Sequence, residues 1–83
     1  SGRGNAMAET KRYDLTGQGG IHVWSNLPEG TKLTLLNGAV GEVIANPHDG
    51  GFILIRFQGH PQDPSKVGQE EYVFFNEVRA AED

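Results

Sequence analysis

The stretch from Val40 to Phe57 constrains the fold of this chain more than any other. Two runs rich in β-branched and aromatic residues, Val40-Gly41-Glu42-Val43-Ile44-Ala45 and Phe52-Ile53-Leu54-Ile55-Arg56-Phe57, flank a cluster of turn formers, Asn46-Pro47-His48-Asp49-Gly50-Gly51. That pattern predicts a β-hairpin. Pro47 presets φ at the start of the reversal, Asp49 is suited to bond its own backbone, and Gly50-Gly51 tolerate the positive φ that closes it. The second run is apolar on both faces apart from Arg56. It is therefore expected to be a central strand covered on each side, as in a small closed barrel.

Further strands are predicted around the hairpin. Thr31-Lys32-Leu33-Thr34-Leu35-Leu36 alternates apolar and polar residues, Asn37-Gly38 is a strong two-residue turn, and Glu71-Tyr72-Val73-Phe74-Phe75 is a last strand. Asn76-Glu77-Val78 has the look of a single 3₁₀ turn. Ile21-His22-Val23-Trp24 alternates as a short strand would, and no segment carries sustained helical periodicity. Between Gly59 and Gln69 runs a polar loop of eleven residues, near the upper length for a compact domain. Ser1–Ala6 precede the only methionine and read as a cloning remnant. The expected organisation is thus a remnant at 1–6, a flexible arm at 7–20, an all-β barrel of about five strands at 21–79, and a fraying acidic tail at 80–83.

Size and charge narrow the function classes. A chain of 83 residues allows one domain, and one this small buries only about 60% of its unfolded surface. With no cysteine there is no disulfide or thiolate metal site to add stability, so self-association is the expected source of further burial. No apolar run approaches the ~18 residues of a membrane span and no signal-like segment follows Met7, so a soluble, cytoplasmic protein with no membrane partner is expected. Without Arg3 the chain has 6 basic and 11 acidic residues, a net charge of −5. The bases Lys11, Arg12, Lys32, Arg56, Lys66 and Arg79 are scattered, which argues against nucleic acid as partner.

The order of elements resembles SH3-like small barrels. The residues that carry the likeness are Gly30-Thr31-Lys32-Leu33, Val40-Gly41-Glu42-Val43, Ile55-Arg56-Phe57 and Tyr72-Val73-Phe74-Phe75-Asn76-Glu77-Val78. The pattern is similar to that of the small peripheral barrel protein of photosystem I, and more loosely to KOW modules and type II dihydrofolate reductase. The first resemblance implies accessory docking on a larger complex, the second nucleic-acid binding through a face with Arg56, Lys32 and stacking aromatics. The third implies an enzyme whose last strand carries Val-Gln-Ile-Tyr. Here Val73 stands at the Gln position and Phe75 at the Tyr position, and apolar groups cannot supply amide or hydroxyl contacts to a ligand.

Other chemistry finds little support in the sequence. His22, His48 and His60 lack the spacing of a shared metal site. Thr16-Gly17-Gln18-Gly19-Gly20 lacks the Lys-Ser/Thr of a phosphate loop and no helix is predicted after it, so it reads as a linker. Ser25 and Ser65 have no triad-like surroundings. Glu70, Glu71 and Glu77 read as a solvated rim. No catalytic residue, cofactor or metal is assigned. The aromatics are more telling, because Trp24, Phe52, Phe57, Tyr72, Phe74 and Phe75 exceed what one tiny barrel interior holds. Strand alternation sends Tyr72 and Phe74 one way and Val73 and Phe75 the other. The expected function is a non-enzymatic protein-binding or assembly module, a homo-oligomer, with Tyr13, Trp24, Tyr72 and Phe74 as contact residues and the 59–69 loop at the rim. An arm running from Tyr13 to Trp24 is the expected route for adding to another chain's sheet.

Overall fold

The computed structural model describes residues 11–83, so the cloning remnant and the start of the arm lie outside the described residues. The described residues form one antiparallel sheet with a single short α-helix. The strands are β1 (Arg12–Tyr13), β2 (Lys32–Leu35), β3 (Val40–Ala45), β4 (Ile53–Gly59), β5 (Glu70–Val73) and β6 (Val78–Glu82), with α1 (Gly20–Ser25) between the first two. Their order across the sheet is β1-β6-β2-β3-β4-β5. The two outer strands do not pair with each other, so hydrogen bonding does not close the sheet into the expected cylinder.

The predicted hairpin is present, and β4 lies between β3 and β5. At its turn Asp49 accepts from the Gly51 N–H at 2.9 Å, and Gly50 takes φ +80°. His48, not Gly51, supplies the second positive φ, at +63°. Its conformation is held by its own N–H bonding Asn46 Oδ1 at 2.9 Å and by Nδ1 bonding the Ser25 carbonyl at 2.8 Å. The Asn37-Gly38 turn also forms, with Gly38 at φ +90° and the Asn37 side chain accepting from the Ala39 N–H.

Alternation along β4 is clean: Ile53, Ile55 and Phe57 are buried, while Arg56 and Gln58 are exposed and Leu54 is half-buried. The expectation that β4 is covered on both faces is therefore corrected. Its inner face meets a core built from Trp24, Leu27, Leu33, Leu35, Val43 and Val73 with smaller neighbours; its outer face has no second layer among the described residues. Register shifts at Val40/Gly41 and Val43/Ala45 add local twist to the hairpin. Gly41 permits the close packing there, since a Cβ on it would lie 2.6 Å from the Ile55 Cδ1 atom.

Three segments differ from expectation. Ile21–Trp24 lie in α1 rather than a strand: four residues of alternation cannot distinguish a strand from one helical turn, and anchorage of Trp24 decides between them. The Trp24 side chain is fully buried, its indole N–H donates to the Gly51 carbonyl at 2.9 Å, and its ring packs against Phe75 at 6.0 Å. Ser25 Oγ and Asn26 Nδ2 both donate to the His22 carbonyl and close the C-terminal end of the helix. The arm and tail are also built into the sheet. Arg12 pairs with Glu82 and Tyr13 with Ala81, while Leu33 pairs with Ala81 on the other side. Ala81 is buried, so its small side chain belongs to the core despite the acidic residues that follow it. Between β5 and β6, the 3₁₀ turn expected near residue 77 spans Phe75–Glu77.

Candidate functional site: an aromatic outer face

Alternation places the side chains on the uncovered outer face of β4 and β5. Leu54 is opposite Tyr72 and Arg56 opposite Glu70, while the pair Ile53 and Val73 points into the core. Phe52 precedes β4 and Phe74 follows β5, so both continue the outward row. Their rings meet at 5.2 Å with planes tilted by 49°, a favourable aromatic arrangement. Phe52 remains 57% exposed and Tyr72 64%. Together with Pro47 and Asp49 from the hairpin turn they line a shallow groove of about 470 Å³.

The same face becomes polar further along the strands. Arg56 Nη2 lies 2.7 Å from Glu70 Oε2, and Gln58 Nε2 donates to Glu42 Oε1 at 3.0 Å. Glu71, opposite Ile55, has the other parity, and its Oε2 lies 3.2 Å from the Lys66 ammonium at the sheet edge. All these groups are substantially exposed, so the ion pairs add little stability, and a charged ligand can exchange them. The outer face is thus divided into an aromatic end beside the hairpin turn and a charged end beside the 59–69 loop.

The structure brings together two of the four expected contact residues. Tyr72 is fully on the face, and Phe74 is half-buried beside Phe52 with its N–H capped by Glu77 Oε2 at 2.9 Å. Trp24 is corrected: it is a core residue and offers no surface to a partner. Tyr13 lies at the opposite edge of the sheet, half-buried, with the Lys11 Nζ 5.1 Å from its ring centroid. Arg12–Tyr13 pair with β6 of their own chain and Gly20–Ser25 are helical, so the stretch from Tyr13 to Trp24 is not one continuous extended arm. The 59–69 loop borders the charged end, not the aromatic one. Phe52 and Pro47, absent from the expected contact set, complete the groove.

The remaining candidates are occupied structurally. His60 is almost fully buried, edge-on to Phe57 at 5.2 Å, and its Nδ1 accepts from the Asp63 N–H at 3.0 Å. The Ser65 hydroxyl donates to Asp63 and holds its carboxyl below the usual carboxylate value. Thr16 does the same for Asp14 through its hydroxyl and its N–H. A helix does begin after the glycine run, contrary to expectation, but its six residues carry no side-chain cap. Among the described residues no three His, Asp or Glu side chains gather as metal ligands would. None of their helices is long and apolar enough to cross a membrane. Of the residues aligned with the reductase motif, Val73 is buried in the core and Phe75 packs on Trp24.

The chain matches no protein-family model, no curated protein and no solved structure at a significant level. Its outer face must be interpreted from its own chemistry.

Proposed function

We propose that the chain is a non-enzymatic protein-binding module of SH3-like fold, and that it docks a partner on the aromatic end of its outer face. The observation that carries this reading is the outward cluster of Phe52, Tyr72 and Phe74 around Pro47. Large rings left in water forgo burial of roughly 25 cal/mol per Å², and aromatic residues are enriched where protein partners meet. Two features support the SH3-like fold: β2 neighbours both β3 and the terminal β6, and a 3₁₀ turn separates β5 from β6. Asp49 at the groove and Glu70 further along the same face disfavour a phosphate backbone there.

Selection from a random-peptide display library on the immobilised protein tests this proposal. Selected peptides are expected to bind the native chain at least tenfold more tightly than a Phe52→Ser, Tyr72→Ser double variant, a loss of about 1.4 kcal/mol. Because both side chains are more than half exposed, the double variant is expected to lose no more than roughly 2 kcal/mol, most of it from the Phe52–Phe74 ring contact, and its fold is checked by circular dichroism. Peptides that bind both proteins equally, failure to enrich any peptide, or tighter binding of single-stranded RNA at the same face would each overturn the docking reading.

A further inference from the structure

Strand β5 is the last in the sheet, and its backbone pattern can be followed residue by residue. Val43 exchanges hydrogen bonds with Gly30 and Thr31 on the β2 side, so its neighbour Glu42 faces β4 and pairs with Arg56. The odd-numbered residues of β4 then face β5. Accordingly, the Phe57 N–H donates to the Gln69 carbonyl at 2.9 Å and the Gly68 N–H to the Phe57 carbonyl at 2.8 Å. Continuing the antiparallel alternation, Ile55 and Ile53 bond Glu71 and Val73. The amides and carbonyls of Glu70 and Tyr72 therefore point to the open edge, where no strand among the described residues pairs with them. The edge ends at Phe74, whose N–H is taken by Glu77 Oε2.

From this geometry we infer that the partner segment adds to β5 as a seventh strand, with two adjacent cationic residues opposite Glu70 and Glu71 and two adjacent apolar residues opposite Tyr72 and Val73. The inference rests on the docking face proposed above and names how its occupant binds. An added strand is offered two donors and two acceptors by the backbone. It also places a side chain beside Tyr72, next to the ring pair of Phe52 and Phe74.

Charge complementarity selects the occupant. Glu70 and Glu71 are held only by exposed ion pairs with Arg56 and Lys66, so cationic side chains on a neighbouring strand gain favourable cross-strand pairs. A second copy of this chain brings another pair of glutamates and a formal charge of −4. Those same glutamates thus oppose self-pairing at the exposed edge. The two exposed rings also form a small patch. A standard globular interface buries about 800 Å² per partner, whereas a strand and one apolar anchor need much less area, since main-chain hydrogen bonds supply part of the binding.

The test uses the full chain and two capped peptides, acetyl-Thr-Val-Phe-Lys-Lys-Thr-amide and its counterpart with glutamates in place of the lysines. Titration is followed by NMR at low salt. The lysine peptide is expected to bind at least tenfold more tightly than the glutamate peptide, and saturation with it is expected to slow exchange of the Tyr72 amide at least tenfold. Proline is tolerated at the first residue of an edge strand and removes an outward N–H. Glu70→Pro is therefore expected to weaken binding at least tenfold relative to Glu70→Gln, which removes only the charge. The exchange measurement on the native chain stands even if the proline variant fails to fold. Ring shifts at Phe52 and Tyr72 with an unprotected Tyr72 amide would overturn strand addition while leaving the docking face intact. Binding of neither peptide would overturn the proposed segment chemistry, with the library selection still deciding the docking face. A Tyr72 amide already protected in the free protein, in a concentration-dependent way, would assign the edge to a second copy and overturn the inference.

Discussion

Replacing Trp24 with alanine is expected to remove about 3–5 kcal/mol of stability. The side chain is fully buried, its ring lies against Phe75, and its N–H is the donor that ties α1 to the Gly51 carbonyl in the hairpin turn. Truncation loses the transfer energy of the ring, opens a cavity, and leaves a carbonyl without its partner. Domains of this size sit near the lower end of the 5–15 kcal/mol range of native stabilities, so the loss is a large fraction of the total. Thermal unfolding followed by circular dichroism should show a fall in Tm of about 15 °C or more. Trp24→Phe, which keeps a ring and loses the hydrogen bond, should fall between the two. A drop in the alanine variant of less than about 4 °C, corresponding to under 1 kcal/mol, would mean that Trp24 is a surface residue after all.

Ending the chain after Arg79 is expected to be comparably damaging. The four residues removed, Ala80–Asp83, supply the partners of Lys32, Leu33 and Thr34 on one side and of Arg12 and Tyr13 on the other. Asp83 in addition donates its N–H to the Lys11 carbonyl and accepts the Lys11 N–H on its side chain. At about 1 kcal/mol net for each hydrogen bond lost, with the core that buried Ala81 covers opened as well, the truncation should cost roughly 4–6 kcal/mol. Urea denaturation reads this directly as a lower midpoint. An unchanged midpoint would instead restore the frayed tail that composition alone implies.

These two variants fall on elements where local sequence and tertiary context disagree. The hairpin, the Asn37-Gly38 turn and the strand that becomes β5 were legible because β-branched alternation and turn chemistry favour the same structure there. Ile21–Trp24 carries strand-forming residues, yet a buried indole with one hydrogen-bond acceptor outweighs their propensity in so short a segment. Val78–Glu82 contains two alanines and an acid, none of them strand signals. Its structure comes from lying between two other strands, a long-range fact invisible in a local window. Closure of the sheet was unreadable for the same reason, since it depends on whether the first and last strands in the order meet.

The candidate face was partly legible. Alternation alone separates Tyr72 and Phe74 from Val73 and Phe75; burial follows that division for exposed Tyr72 and buried Val73, while Phe74 and Phe75 are both half-buried. The same parity was available for Phe52, which falls in step with Arg56 and Gln58 rather than with the buried Ile53, Ile55 and Phe57. Trp24 misled because interface enrichment of tryptophan was weighed without its role as the largest core filler in a small domain. The open edge of β5 required the strand order itself.

Which rings face water decides whether the docking surface exists. The most direct measurement is relaxation of aromatic proton signals by a soluble, uncharged gadolinium chelate in a dilute sample. Phe52 and Tyr72 should broaden strongly, while Trp24 and Phe57 stay sharp because they are fully or almost fully buried. If Phe52 and Tyr72 prove as protected as Trp24, the sheet has no aromatic outer face, and the docking surface built on it is contradicted.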